Sequence, residues 1–264
     1  MAPIDGYWGK QTATVDWCEE NYVVSSYIAE FWNTLSNAVI ILAPLFMLIV
    51  GYQQNIERRF MYSFLAVTVI GTGSWLFHMT LKYSMQLMDE VPMLWGSTSF
   101  IYSSLMVKSK PNEDNVLVQL SLFSMCLFVT LMYLFINAPV FLQVAYGLLN
   151  TVVIFSMVKT CLTMECDKRI FLGGVGCYLI GFFFWNVDNI YCHHLKYLKV
   201  SQAASGMLFE CHAWWHIFSG IGAYLGLLFS LHTRYVYLQR KPRVKLLFGF
   251  WPYIVIDNTT AKQK

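Results

Sequence analysis

The chain has 264 residues, of which 57% are hydrophobic, 17% aromatic and only 12% charged. Soluble domains carry about 25% charge, so this composition excludes an ordinary water-soluble protein and predicts a polytopic membrane protein. A formal charge of +3, with basic residues scattered over loops and tail, excludes a nucleic-acid-binding stripe.

Residues 1–30 form an acidic segment ahead of the first apolar run. It carries charges and lacks an apolar core, so no cleavable signal peptide is expected. Its DWCEEN stretch places Asp16, Trp17, Glu19, Glu20 and Asn21 close together, and Glu30 stands at the start of the first run. Hard cations bind sets of carboxylate and carbonyl oxygens. Asp16, Glu19, Asn21 and Glu30, with a backbone carbonyl near Trp17, make a candidate calcium set if the segment folds back on the helix end. The glycine and twelve-residue spacing of an EF-hand are absent. The plainer reading is an acidic surface with Asp16 capping a short helix.

Apolar runs follow at 31–51, 60–81, 87–107, 116–136, 139–159, 171–191 and 208–230. Each has about the 20 residues needed to cross a bilayer. Lipid offers no partner to open backbone groups, so all seven are predicted helices. The expected fold is all-α, a seven-transmembrane helix bundle over 31–230, with a basic tail over 231–264. Short connections make sequential helices neighbours.

The second run holds Ser74 and His78, and the third opens with Asp89. Glu90 points about 100° away from Asp89 round the helix and is expected at a helix interface. The sixth run ends in WNVDN, where Asn186, Asp188 and Asn189 either line a cavity, support a metal site or pack helices. His193 and His194 follow and read as surface residues. The seventh run opens with HAWWH, which puts His212 and His216 one turn apart on one helix face. Among seven cysteines, Cys126 and Cys177 read as small core residues. Cys18, Cys161, Cys166, Cys192 and Cys211 lie near surfaces, and one disulfide among them is left open.

Lysine and arginine orient the bundle. With the N-terminus outside, 14 of the 18 basic residues fall on the inner side, so a lumenal N-terminus and a cytosolic C-terminus are expected. That direction brings the end of the second run and the starts of the third and seventh to one lumenal depth. His78, His212 and His216 then supply the three protein ligands of a catalytic zinc, with a fourth position open. Asp89 is placed to move a proton and Ser74 to donate to a developing oxyanion. Separate hydrogen-bonded core histidines are the plain alternative. An ion or proton pathway is another, because ionisable groups inside a membrane also mark transport routes.

DWCEENY, AEFWNT, GSWLFHMTLKY with QLMDE, FFFWNVDNI and HAWWHIFSG together resemble the alkaline ceramidase family over nearly the whole chain. The resemblance implies a seven-helix intramembrane zinc amidase that splits ceramide into sphingoid base and fatty acid. It implies zinc on His78, His212 and His216, with Asp89 and Ser74 as catalytic groups. It also implies calcium on Asp16, Trp17 through its backbone, Glu19, Asn21 and Glu30. Unsaturated long-chain ceramides, dihydroceramides or phytoceramides as substrates, and residence in endoplasmic reticulum and Golgi membranes, are expectations carried by the same resemblance. The rival classes are a seven-helix lipid receptor with structural zinc and a non-enzymatic transporter.

Overall fold

The computed structural model describes residues 6–201 and 203–256. Its helices are α1 (Phe31–Ser36), α2 (Ala38–Gln54), α3 (Arg58–Thr80), α4 (Tyr83–Leu105), α5 (Val116–Ile136), α6 (Pro139–Thr163), α7 (Lys168–Ser201) and α8 (Cys211–Tyr237). Among the described residues, six spans are long and apolar enough to cross a membrane, the first running through α1 and α2. The exception is α4, a 23-residue helix that carries Gln86, Asp89, Glu90 and a run of serines and threonines. These polar side chains face inward, so the helix reads as less apolar than its neighbours.

Local chemistry sets the helix ends. Asn55 and Asn137 close α2 and α5 in the left-handed conformation that asparagine tolerates. The Asn115 side chain accepts from Val118 N at 3.1 Å and caps the start of α5. Pro139 opens α6, where its missing N–H costs nothing. The 34 residues of α7 are broken at Tyr191, whose backbone leaves the helical region.

Burial is inverted relative to a soluble protein. Phe135 is 87% exposed and Leu162 80%, whereas Glu30, Asn33, His78 and Gln86 are fully buried. Large apolar side chains on the outside and polar ones within are what a bilayer solvent selects. Two glycines allow the closest helix contacts. A Cβ on Gly73 would lie 2.0 Å from the Met88 carbonyl, so α3 and α4 meet backbone to backbone where Ser74 and Asp89 follow. Gly222 does the same for α8 against Tyr178 of α7.

Two expectations change. The chain is predominantly helical, not all-α. Within the expected basic tail, β1 (Pro242–Leu247) and β2 (Trp251–Ile256) form an antiparallel hairpin in register from Pro242↔Ile256 to Leu247↔Trp251. Gly249, at φ +82°, turns the chain. The hairpin lies against the bundle. Tyr224 Oη donates to the Pro252 carbonyl at 2.8 Å, and Gln54 pairs with Ile254 O and Ile256 N. Lys262 and Lys264 of the charge argument lie outside the described residues. Arg234, counted with the tail, is instead a fully buried residue of α8.

Candidate metal centre and adjoining cavity

His78 stands two residues before the end of α3, and His212 and His216 occupy the first two turns of α8. Their ring centroids are 4.6–5.2 Å apart. Among the described residues they are the one set of three whose ligand atoms all lie within 4.8 Å of one another. All three are at least 96% buried.

The imidazoles are held from behind. His78 Nδ1 pairs with the Glu30 carboxylate, and His216 Nδ1 lies 3.0 Å from the Asn33 carbonyl. A carbonyl only accepts, so His216 carries its proton on Nδ1 and leaves Nε2 with a free lone pair. The same logic applies to His78 against a carboxylate. His78 Nε2 and His212 Nδ1 are buried with no hydrogen-bond partner. A buried unpaired polar atom costs about 1–3 kcal/mol, and two in one histidine cluster are what a bound metal ion would satisfy. The three residues present fit such an ion.

The N-terminal segment covers this end of the bundle. Trp17 stacks on His212 at 3.6 Å between centroids and 18° between planes. The backbones of Ala29 and Glu30 donate to Met79 and His78 carbonyls, each at 3.0 Å, which fastens the segment along the end of α3. A disulfide joins Cys18 to Cys192 of α7, while Cys161, Cys166 and Cys211 are free thiols. Asp188 accepts from Cys18 N at 3.1 Å through one oxygen and from His212 N at 3.2 Å through the other. Of the sequence alternatives for Asp188, support of the histidine cluster is the one its geometry fits.

The oxygen set also gathers here. Glu19 accepts Trp32 N at 2.7 Å and Asn33 N at 2.8 Å, so it caps α1, which has no cap from Glu30. Burial pushes the Glu19 carboxyl up to about 8 despite those two bonds, with the nearby Glu210 and Glu30 charges adding to the rise. Glu30 accepts Trp17 N at 3.3 Å and is charge-coupled to Asp16. Asn21 Oδ1 is buried without a partner.

Beside the histidines lies a cavity of about 310 Å³. Ser74, Asp89, Glu90, His212 and His216 supply its polar lining. Phe182, Leu179 and Ile154 line its apolar part, and a smaller chamber of about 100 Å³ shares Tyr146, Asn150 and Tyr178 with it. Sequence reasoning brought the three histidines, Ser74 and Asp89 to one depth; Ser74, Asp89, His212 and His216 line this cavity, and His78 joins them through the histidine cluster. It missed the Trp17 ring and the pocket-facing side of Glu90. Tyr146 and Tyr178, each one aromatic among many, gave no separate signal.

The chain matches a family model described as Ceramidase over residues 9–255. It is 44% identical to alkaline ceramidase 3 of Mus musculus over 97% of this chain and 98% of that protein. Identity is 33% to an alkaline ceramidase of Saccharomyces cerevisiae, covering 89% of this chain and 81% of the relative. For the alkaline ceramidase of Arabidopsis thaliana it is 30%, covering 97% of each. The family match, set on a buried three-histidine cluster at the head of a cavity in a multi-pass membrane protein, makes this chain a member of the alkaline ceramidase family and an amide hydrolase.

Proposed function

We propose that the chain is a zinc-dependent ceramidase that hydrolyses the N-acyl amide of ceramides within the bilayer, releasing a sphingoid base and a fatty acid. The observation that carries this reading is the pair of buried, unpartnered imidazole nitrogens, His78 Nε2 and His212 Nδ1, beside a membrane-level cavity. His78, His212 and His216 would hold the metal. Zinc, when bound, supplies Lewis acidity and a water acidified towards pKa ~7.

The protein's own groups then divide the work. Asp89 takes a proton from the attacking water and returns it to the amide nitrogen as the C–N bond breaks. Ser74 donates to the carbonyl oxygen as negative charge develops there. The apolar cavity wall receives hydrocarbon chains, and long-chain unsaturated ceramides are the substrate class proposed. Trp17 and the bonded Glu30 and Asn33 keep the imidazoles oriented.

We also assign a calcium ion to Asp16, Glu19, Asn21, Glu30 and the Trp17 carbonyl. The unpartnered Asn21 oxygen and the raised Glu19 carboxyl support this, because a cation would relieve both. Its contribution would be to fix the N-terminal segment over the histidines.

Seven spans, with α4 as the polar one, and a lumenal N-terminus complete the reading, in endoplasmic reticulum and Golgi membranes. The Cys18–Cys192 disulfide supports that sidedness, since it needs an oxidising compartment, while Cys161 and Cys166 at the opposite end remain thiols. Purified protein is tested with a defined unsaturated ceramide. The wild type should carry zinc and release fatty acid, and His212→Ala should lose both. Equal release by the two proteins would reject the mechanism.

A further inference from the structure

We infer that Glu90 sets specificity for the lipid head: its free carboxylate oxygen accepts a hydrogen bond from a hydroxyl flanking the scissile amide. This deepens, and rests on, the ceramidase reading above.

The geometry begins with which oxygen is occupied. Glu90 Oε2 accepts from both Tyr133 Oη and Gln86 Nε2. Gln86 is in turn locked to the N-terminal segment, donating to Thr14 Oγ1 at 2.8 Å and accepting from Thr14 N at 2.8 Å. This network joins α4, α5 and the N-terminal segment and fixes the carboxylate. The other oxygen, Oε1, takes no hydrogen bond from any described residue. The residue is only 9% exposed, and it lines the cavity with Asp89, Ser74 and the two α8 histidines. A carboxylate so buried, half satisfied and facing a cavity, calls for a donor from the occupant.

The occupant's chemistry supplies that donor. In a sphingoid amide the hydroxyls sit within a few bonds of the amide nitrogen. Glu90 follows Asp89 directly in the chain, about 100° round the helix. With Asp89 at the amide, Glu90 is placed beside the atoms next to it. An amide without hydroxyls would leave Oε1 desolvated and unpaired. Sites built to bind a hydroxyl reject analogues lacking it far more strongly than apolar pockets discriminate by size. Glu90 therefore separates ceramides from other fatty amides of equal chain length.

The test compares an unsaturated ceramide with an N-acyl alkylamine of the same acyl chain and no head hydroxyl. Glu90→Gln should lower the ratio of kcat/KM for ceramide over alkylamide roughly ten- to hundredfold, mainly through KM for ceramide. Bound zinc and the thermal midpoint, read alongside, would move if Glu90 only braced the helices. Equal loss on both substrates overturns the inference. Should Glu90→Gln fail to fold, Glu90→Asp carries the same comparison, since the shortened carboxylate withdraws from the cavity. If the wild type cleaves neither amide, the ceramidase reading falls by itself. Glu90 is then judged by sphinganine binding in detergent: weaker binding to the variant upholds the assignment, and equal binding overturns it.

Discussion

The indole of Trp17 lies flat on the imidazole of His212, 3.6 Å between centroids, and so forms a wall of the histidine cluster from a segment nearly two hundred residues away. Stacked aromatic pairs are worth about 0.5–1.5 kcal/mol beyond the area they bury. Here that energy favours one orientation of one ring of the cluster. Trp17→Ala should weaken zinc binding about tenfold, within the range seen when groups orienting a ligand are removed. Competition with a chelator measures it. Trp17→Phe should recover part of the loss, because a smaller ring can still stack.

Asp188 acts on the same histidine through the backbone. Its two oxygens accept from Cys18 N and His212 N, which ties the N-terminal segment to the first turn of α8. A carboxylate at a helix N-terminus is also favoured by the helix dipole. Asp188→Asn keeps the shape but replaces one acceptor by an NH2 facing an N–H. We expect roughly a ten- to hundredfold fall in zinc affinity, with the fold retained by circular dichroism.

The Cys18–Cys192 disulfide closes a sequence separation of 174 residues. Cross-links over loops of that size remove much of the freedom of the unfolded chain, typically about 2–4 kcal/mol. Reduction, or Cys18→Ser with Cys192→Ser, should lower the thermal midpoint by several degrees. The segment carrying Trp17 should then be cut by added protease before the bundle is. Identical digestion of the oxidised and reduced protein would remove the disulfide from the account of how this segment is held.

The histidine cluster was legible because two local signals and a topological one agree. A four-residue spacing joins His212 to His216, and the alternating direction of the spans returns His78 to their depth. The Trp17 ring escaped the same reasoning, and Asp188 stayed one alternative among three, because their roles depend on the N-terminal segment folding back, and a pairing across 174 positions leaves no local pattern. Glu90 was read as an interface residue from its angle to Asp89. It does meet Tyr133 of α5, but the cavity is wide enough that both neighbouring acids reach it. The hairpin was missed although WPYIVI is β-branched and aromatic with a Phe-Gly-Phe turn before it. The partner strand, PRVKLL, carries a proline and two basic residues, which gives it the pattern of a charged tail and a weak strand signal.

Arg234 marks the opposite end of the bundle and carries the last prediction. It is fully buried, and Glu57 receives its guanidinium at 2.8 Å, while the carbonyls of Val107 and Lys110 accept at 3.0 and 3.1 Å. Arg59 donates to the same Glu57 carboxylate. One acid before α3 thus pairs with two arginines and joins α3, α8 and the link after α4. Removing one partner of a buried ion pair leaves the other charge uncompensated and costs about 3–5 kcal/mol. Glu57→Gln should therefore lower thermal stability strongly. Paired replacement of Glu57 and Arg234 by Gln and Met should recover part of it, because Arg59 is then the one charge left without its carboxylate. The histidine cluster lies at the far end of α8, so zinc stoichiometry in whatever Glu57→Gln protein remains folded should match the wild type. A Glu57→Gln protein as stable as the wild type would show that the carbonyl ring alone suffices for Arg234.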